Sequence, residues 1–347
     1  MLRINPHQAA LWRDLESLQI GIGEQKIILN SLSPAQERLI GALYRGIADK
    51  HLPNLLDDLG VDQVEGHRLV ESLGPLLLKD TKPSSDSLTE DFVAGAFSEI
   101  IRASLVSASD GATVLMARRF RTVHVDDLSG TGLALTLGLA AAGVGRLVTH
   151  DQSSVETQDL GPSSYPSQLL GKPKIQAVKQ MLASSPNQMR VVSGQQLTSR
   201  NLEAIDCAAI IAQNAIEPRR YVQWLNRDVP HLAITFDAHA AAVSPLVVPG
   251  RGACLYCLEQ ARTDQDPSWP VLASQLVASH SRLDDSASRL FCAGLAVQKI
   301  LSHLDDVGGF AQTEKERVGY QLHLASGVVT EFRWAEHEAC SCRQAPN

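Results

Sequence analysis

Four of the six cysteines fall in two tight pairs, Cys254-Leu255-Tyr256-Cys257 and Cys340-Ser341-Cys342. Two close thiol pairs far apart in sequence are the usual ligand pattern of a four-thiolate zinc site. With every position filled by protein, such a site keeps no place for water and builds structure rather than doing chemistry. Cys207 and Cys292 sit in apolar strand and helix patterns and read as core. A second group surrounds the glycine-rich turn Asp126-Asp127-Leu128-Ser129-Gly130-Thr131-Gly132, which follows a short apolar run. A turn of this kind opening a helix can seat a phosphate on the helix N-terminus. Asp151 follows about 20 residues later, where an acidic side chain commonly holds ribose hydroxyls. His150, His231, His239 and His280 lack metal-ligand spacing and read as ordinary core or surface residues. Ser129-Gly130 lacks the G-x-S-x-G pattern of a nucleophile elbow, so serine hydrolysis is not expected.

These residues need a scaffold, and the chain is long enough to build one. Its 347 residues predict two domains, and 44% apolar with 20% charged residues is the composition of a globular protein. The net charge of −7 argues against a nucleic-acid or anionic-membrane surface. The first ten residues carry no basic stretch followed by an apolar core, and the most apolar run, 133–148, is interrupted by three glycines and Arg146. A cytoplasmic protein without a membrane span is expected, and six cysteines are too few for a disulfide framework.

The polar segment 79–87, with Pro83, reads as a linker, which divides the chain into 1–80, a linker at 81–90, and 91–347. In the first part, 18–28 can form a hairpin around 21–24. Ser33-Pro34 opens a helix with apolar residues at Leu39, Ile40, Leu43 and Tyr44, and helical patterns follow at 51–59 and 63–73. Three helices after a hairpin resemble a winged helix. Residues 1–90 hold nine Lys and Arg against thirteen Asp and Glu, so this module is expected to dock a peptide or to be purely structural rather than to read DNA. From 91 onward a helical pattern runs to 107. Strands at 122–125, 146–149, 190–192, 207–211 and 231–236 then alternate with helices at 132–142, 174–184 and 217–227. The alternation predicts an α/β Rossmann-like domain with a mostly parallel sheet covered by helices on both faces. A further helix is expected at 290–301, and 262–281 is expected as a crossover lid.

The run Ala141-Ala142-Gly143-Val144-Gly145-Arg146-Leu147, then Asp151, then Gly171-Lys172-Pro173-Lys174 opening a helix, then the cysteine pairs, resembles the ThiF/MoeB/HesA activating-enzyme superfamily over roughly residues 110–345. The family adenylates the C-terminal carboxylate of a small protein or peptide. The resemblance implies nucleotide contacts at Gly130, Gly132, Asp151, Lys174 and Asn214, a structural zinc on Cys254, Cys257, Cys340 and Cys342, and a homodimer. The chain also departs from the family. Two family glycines fall on Asp127 and Ser129. The N-L-x-R segment falls on Asp159-Leu160-Gly161-Pro162 and loses both its asparagine and its arginine. The aspartate that helps place magnesium falls on Gln213. A carboxylate about 5 Å from a phosphate charge costs on the order of 3 kcal/mol at an effective dielectric constant near 20. No cysteine lies between 258 and 290, so a thioester step is not expected.

A small module joined to a degenerate activating-enzyme domain resembles the leader-peptide-binding partners of azoline-type ribosomal peptide modification. The expected function is therefore binding and presenting a peptide or small ubiquitin-like protein. The alternative is an active ATP-dependent adenylyltransferase with magnesium. An NAD-dependent oxidoreductase would account for the glycine turn but for neither G-x-P-K nor the cysteines.

Overall fold

The computed structural model describes residues 1–23, 26–78, 90–185, 187–196, 204–279, 282–305 and 318–344. The expected linker, apart from its last residue, lies outside the described residues, as does His280. The chain forms two compact units, Met1–Ala117 and Arg118–Asn347.

The first unit opens with an antiparallel meander of β1 (Ala10–Trp12), β2 (Leu18–Ile20) and β3 (Ile27–Leu29). Leu18 pairs with Leu29 and Ile20 with Ile27. Gly21 and Gly23 take the positive φ that the intervening turn requires. Helix α1 (Pro34–Arg45) starts with a capping box: Ser33 Oγ accepts from Gln36 N at 3.2 Å, and Gln36 Oε1 accepts from Ser33 N at 2.9 Å. Helices α2 (Leu52–Leu59) and α3 (Gln63–Ser72) follow, the latter capped by Asp62. Leu18, Ile20, Leu39, Leu43, Leu56 and Leu73 share one core. The helix expected over 91–107 is two, α4 (Glu90–Gly95) and α5 (Phe97–Ser107), interrupted at Ala96 with φ −107° and ψ 16°. Helix α6 (Gly111–Arg118) runs over the boundary of the unit, its last residue already belonging to the second.

The second unit is an eight-stranded sheet. Its elements in chain order are β4 (Thr122–Val125), α7 (Gly130–Ala141), β5 (Arg146–Thr149), α8 (Lys174–Leu182), β6 (Arg190–Ser193), β7 (Cys207–Gln213), α9 (Pro218–Leu225), β8 (His231–Phe236), β9 (Ala240–Val243), α10 (Leu255–Gln265), α11 (Trp269–Ala278), α12 (Ser286–Leu304), β10 (Gly319–His323) and β11 (Val329–Phe332). The spatial order is β11-β10-β9-β8-β7-β4-β5-β6.

The expected parallel arrangement holds for five of the eight strands, and the sheet as a whole is mixed. The five strands β6-β5-β4-β7-β8 are parallel, and β9, β10 and β11 extend the sheet antiparallel. The reversal has a local cause. Asp237-Ala238-His239 is the turn between β8 and β9, held by Asp237 Oδ1 accepting from His239 N at 2.7 Å and Ala240 N at 2.8 Å. A connection this short joins only antiparallel neighbours, whereas a parallel step needs a crossover.

Helices α7 and α12 pack on each other over one face of the sheet, around Val123, Leu133, Leu139, Ala296 and Ile300. On the other face Val148, Ile210, Tyr221 and Trp224 pack together with Cys254, Cys257 and Cys340. Among the described residues no single helix is long and apolar enough to cross a membrane.

Candidate functional site

The C-terminal ends of β4, β5 and β7 converge on the turn 126–132, as expected where parallel strands feed helices. Gly132 is there by necessity: a Cβ would lie 1.6 Å from the Asp127 carbonyl oxygen. Gly130 has φ +41°, and a Cβ on it would lie 2.1 Å from Asp284 Oδ2. Asp127 does not project away from the turn. Its Oδ1 accepts from Ser129 N at 2.6 Å. Burial raises its pKa, and the neighbouring Asp151 charge adds to that, against the backbone N–H of Ser129 and the charge of Lys174. Asp126 pairs with Arg220 at 2.5 Å, yet burial pushes its carboxyl up to about 6.

Asp151 ties the strand ends together. Its Oδ2 accepts from Leu128 N at 2.9 Å, and its Oδ1 accepts from Ser153 N at 2.8 Å and Ser153 Oγ at 2.6 Å. Lys174, the first residue of α8, is buried, with only 3% of its side chain exposed. Its ammonium donates to Ser129 Oγ and lies 3.4 Å from Asp159 Oδ2 and 4.0 Å from Asp151 Oδ2. The structure therefore brings Gly130, Gly132, Asp151 and Lys174 to one turn. Asn214 follows β7 in the left-handed region, with φ +61° and its N–H on the Phe236 carbonyl at 2.6 Å. Its side chain makes no hydrogen bond among the described residues.

From the sequence, Asp159 and Gln213 are visible only as departures from the family pattern, and Arg282, Asp284 and Arg289 are not reached. Asp159, whose side chain is fully buried, accepts from Glu156 N at 2.9 Å and from Arg282 Nη1 at 2.6 Å. Burial pushes its pKa up, but the hydrogen bonds from Arg282 and Glu156 and the charge of Lys174 outweigh it and hold the carboxyl below its usual range. Asp284 Oδ2 accepts from Thr131 N at 3.0 Å and Thr131 Oγ1 at 2.9 Å, so this carboxylate occupies the N-terminus of α7. Arg289 Nε lies 3.5 Å from the same oxygen. Gln213 Oε1 accepts from Leu283 N at 3.0 Å, which anchors the segment carrying Arg282 and Asp284. Asp285, next in sequence, caps α12, and a capping residue before an apolar helix was the one sequence signal pointing here. Nothing in the sequence placed Arg282 beside Asp159.

At the other site the Sγ atoms of Cys254 and Cys257 are 3.8 Å apart, those of Cys254 and Cys340 3.6 Å, and those of Cys257 and Cys342 3.4 Å. Four sulfurs at about 2.3 Å from a tetrahedral zinc would be about 3.8 Å from one another, so the cluster fits one metal ion. Burial pushes the Cys254 thiol up to about 12, so a thiolate there needs a cation. Trp334 Nε1 donates to the Cys254 carbonyl at 2.9 Å, which fixes the chain after β11 against the start of α10.

No protein-family model matches this sequence, and no curated protein sequence matches it. Among solved structures, the mixed α/β architecture is shared with a class represented by the E. coli protein MccB. MccB with AMPCPP and selenomethionine MccA superposes with a TM-score of 0.71 at 12% identity, covering 98% of each chain. MccB with ATP gives a TM-score of 0.67 at 12% identity, again covering 98% of each chain. PaaA gives a TM-score of 0.66 at 18% identity, covering 95% of this chain and 99% of PaaA. The chain shares the fold of these proteins along almost its whole length.

Proposed function

We propose that this chain is an activating-enzyme-like protein of peptide modification that binds and presents a peptide or small ubiquitin-like protein, with its nucleotide site in a catalytically degenerate form. One observation carries the reading: the α7 N-terminus and the Lys174 ammonium, two groups that would meet a nucleotide phosphate, are already engaged by carboxylates of the chain itself. Asp284 holds the α7 N-terminus, and the Lys174 ammonium is enclosed by Ser129, Asp151 and Asp159. Gln213 offers an amide rather than a carboxylate, and its oxygen already binds Leu283 N. The likeness to MccB, solved with MccA, with AMPCPP and with ATP, supports a peptide-modification setting. In this reading residues 1–80 are the winged-helix-like docking module, the four cysteines hold a structural zinc, and the protein works as a cytoplasmic homodimer.

The test is calorimetry of the metal-loaded protein with Mg-ATP, followed by pyrophosphate exchange with candidate peptides. Pyrophosphate exchange is not expected with any peptide, because the groups that would drive the chemistry are tied up by the chain. Exchange that depends on a peptide carboxylate would overturn the reading in favour of a second one, an adenylyltransferase converting ATP and a carboxylate to acyl-adenylate and pyrophosphate. That second reading draws on Arg282 and Arg289, two guanidinium groups near the turn that could replace the arginine absent at Pro162.

A further inference from the structure

Asp159 divides its carboxylate between two cations from distant parts of the chain. Oδ2 faces the Lys174 ammonium at 3.4 Å, and Oδ1 receives Arg282 Nη1 at 2.6 Å across 123 residues of sequence. The carboxylate is fully buried and also accepts the Glu156 N–H, so it is a fixed post rather than a mobile counter-ion. Lys174 reaches from this post to Ser129 in the glycine-rich turn. Arg282 is different. Its side chain is 38% exposed, and the bond to Asp159 is its one hydrogen bond among the described residues. Four of the five guanidinium N–H groups are therefore available, in the planar fork that suits phosphate. The contacts Arg282–Asp159, Asp159–Lys174 and Lys174–Ser129 lead from this guanidinium to the turn.

We propose that Arg282, held by Asp159 beside Lys174, is an anion-clamping residue of this site, that it replaces the arginine the sequence lacks at Pro162, and that its ligand is a polyphosphate. The inference rests on the turn 126–132 being the nucleotide site. It does not depend on whether the site turns ATP over, because a clamp can hold phosphate without chemistry. Asp284 opposes it by keeping a carboxylate on the α7 N-terminus.

The experiment is calorimetric titration of the full-length, metal-loaded protein with inorganic pyrophosphate, without magnesium. Arg282→Ala should weaken binding tenfold or more. Arg282→Lys should recover part of the loss, since it restores the charge but not the fork. Asp284→Asn should tighten binding, and Arg68→Ala, on the exposed face of α3, should leave it unchanged. Acetate should show no binding that depends on Arg282. The proposal is overturned if Arg282→Ala binds like the wild type. It is equally overturned if folded Arg282→Lys binds no better than Arg282→Ala, if neither wild type nor Asp284→Asn binds pyrophosphate, or if acetate is the anion that responds to Arg282. Failure of pyrophosphate exchange with peptides bears on turnover alone and leaves this result independent.

Discussion

The two glycines of the 126–132 turn that remain glycine do so for steric reasons that need no ligand. At Gly132 an added methyl would overlap a backbone carbonyl that cannot swing aside. Gly132→Ala should destabilise unit two by more than about 3 kcal/mol, the scale at which strain enters a fixed backbone, as read from a denaturant midpoint. Gly294, inside α12, has nothing within 4 Å of its would-be Cβ. Gly294→Ala should therefore stabilise by about 0.5–1 kcal/mol, through better helix propensity and a less flexible unfolded chain. Opposite signs for these two substitutions would separate a structural glycine from an incidental one in the same unit. Conservation of the turn glycines alone would thus say little about nucleotide binding, whereas Lys174 and Asp159 are buried charges whose pairing with each other and with Arg282 needs a further reason.

Among the elements, helix starts and helix anchors carry the clearest energetic consequences. Ser33 is the N-cap of α1, and losing its hydroxyl removes one half of a reciprocal pair with Gln36. Ser33→Ala should cost about 1 kcal/mol in thermal or denaturant unfolding of unit one, and Ser33→Asp should retain most of it. Arg118, at the end of α6, shows a stronger dependence. It donates Nε and Nη2 to Asp305 at 2.8 and 2.6 Å and Nη1 to the Ala142 carbonyl at 2.8 Å, with 5% of its side chain exposed. Asp305 is the C-cap of α12, so this pair fixes the far end of the helix whose near end carries Asp284 and Arg289. Asp305→Ala leaves a buried guanidinium without its counter-ion and should cost about 3–5 kcal/mol. The double variant Arg118→Met with Asp305→Ala should be less destabilised than Asp305→Ala alone, because no charge is then stranded.

At the level of the whole molecule, the cysteine cluster and the buried imidazoles set the response to chelators and to acid. Cys254 and Cys257 belong to the start of α10, and Cys340 and Cys342 follow β11. Removing a structural metal should lower the melting temperature of unit two sharply, and elemental analysis should find one zinc per chain before chelation. Burial holds His124 down at about 3, aided by the charges of His150 and Arg220, and holds His231 down at about 4. Both values lie below the 6.5 of a free imidazole, so the unfolded chain takes up these protons first. Stability is then fully present above about pH 6.5 and is lost as pH falls toward these folded values, on the order of 3 kcal/mol for His231 alone. Unfolding midpoints should drop between pH 7 and pH 4, and a flat profile across that window would contradict the neutral burial of both rings.

The local sequence determined the parallel half of the fold and the positions of its chemistry-bearing groups. Strands β4, β5 and β8 lie where the segments 122–125, 146–149 and 231–236 placed them, because strands buried in a parallel sheet are rich in Val, Leu and Ile. The start of α1 was legible in Ser33-Pro34, and the cysteine pairs were legible in their spacing. Tertiary structure alone decided the rest. Strands β9, β10 and β11 are short, and β9 is Ala240-Ala241-Ala242-Val243, a composition with weak strand preference that pairing with β8 and β10 overrides. The partners of the candidate site were equally invisible. A substitution at Pro162 reads as a missing arginine along the chain. In space the guanidinium of Arg282 arrives at Asp159 from 123 residues away, and the carboxylate of Asp284 arrives at the start of α7. Spacing along the chain reports groups that share one turn or one helix. Groups that meet only because α12 packs on α7 leave no periodic trace in the sequence, and here they are the ones that determine what the site can hold.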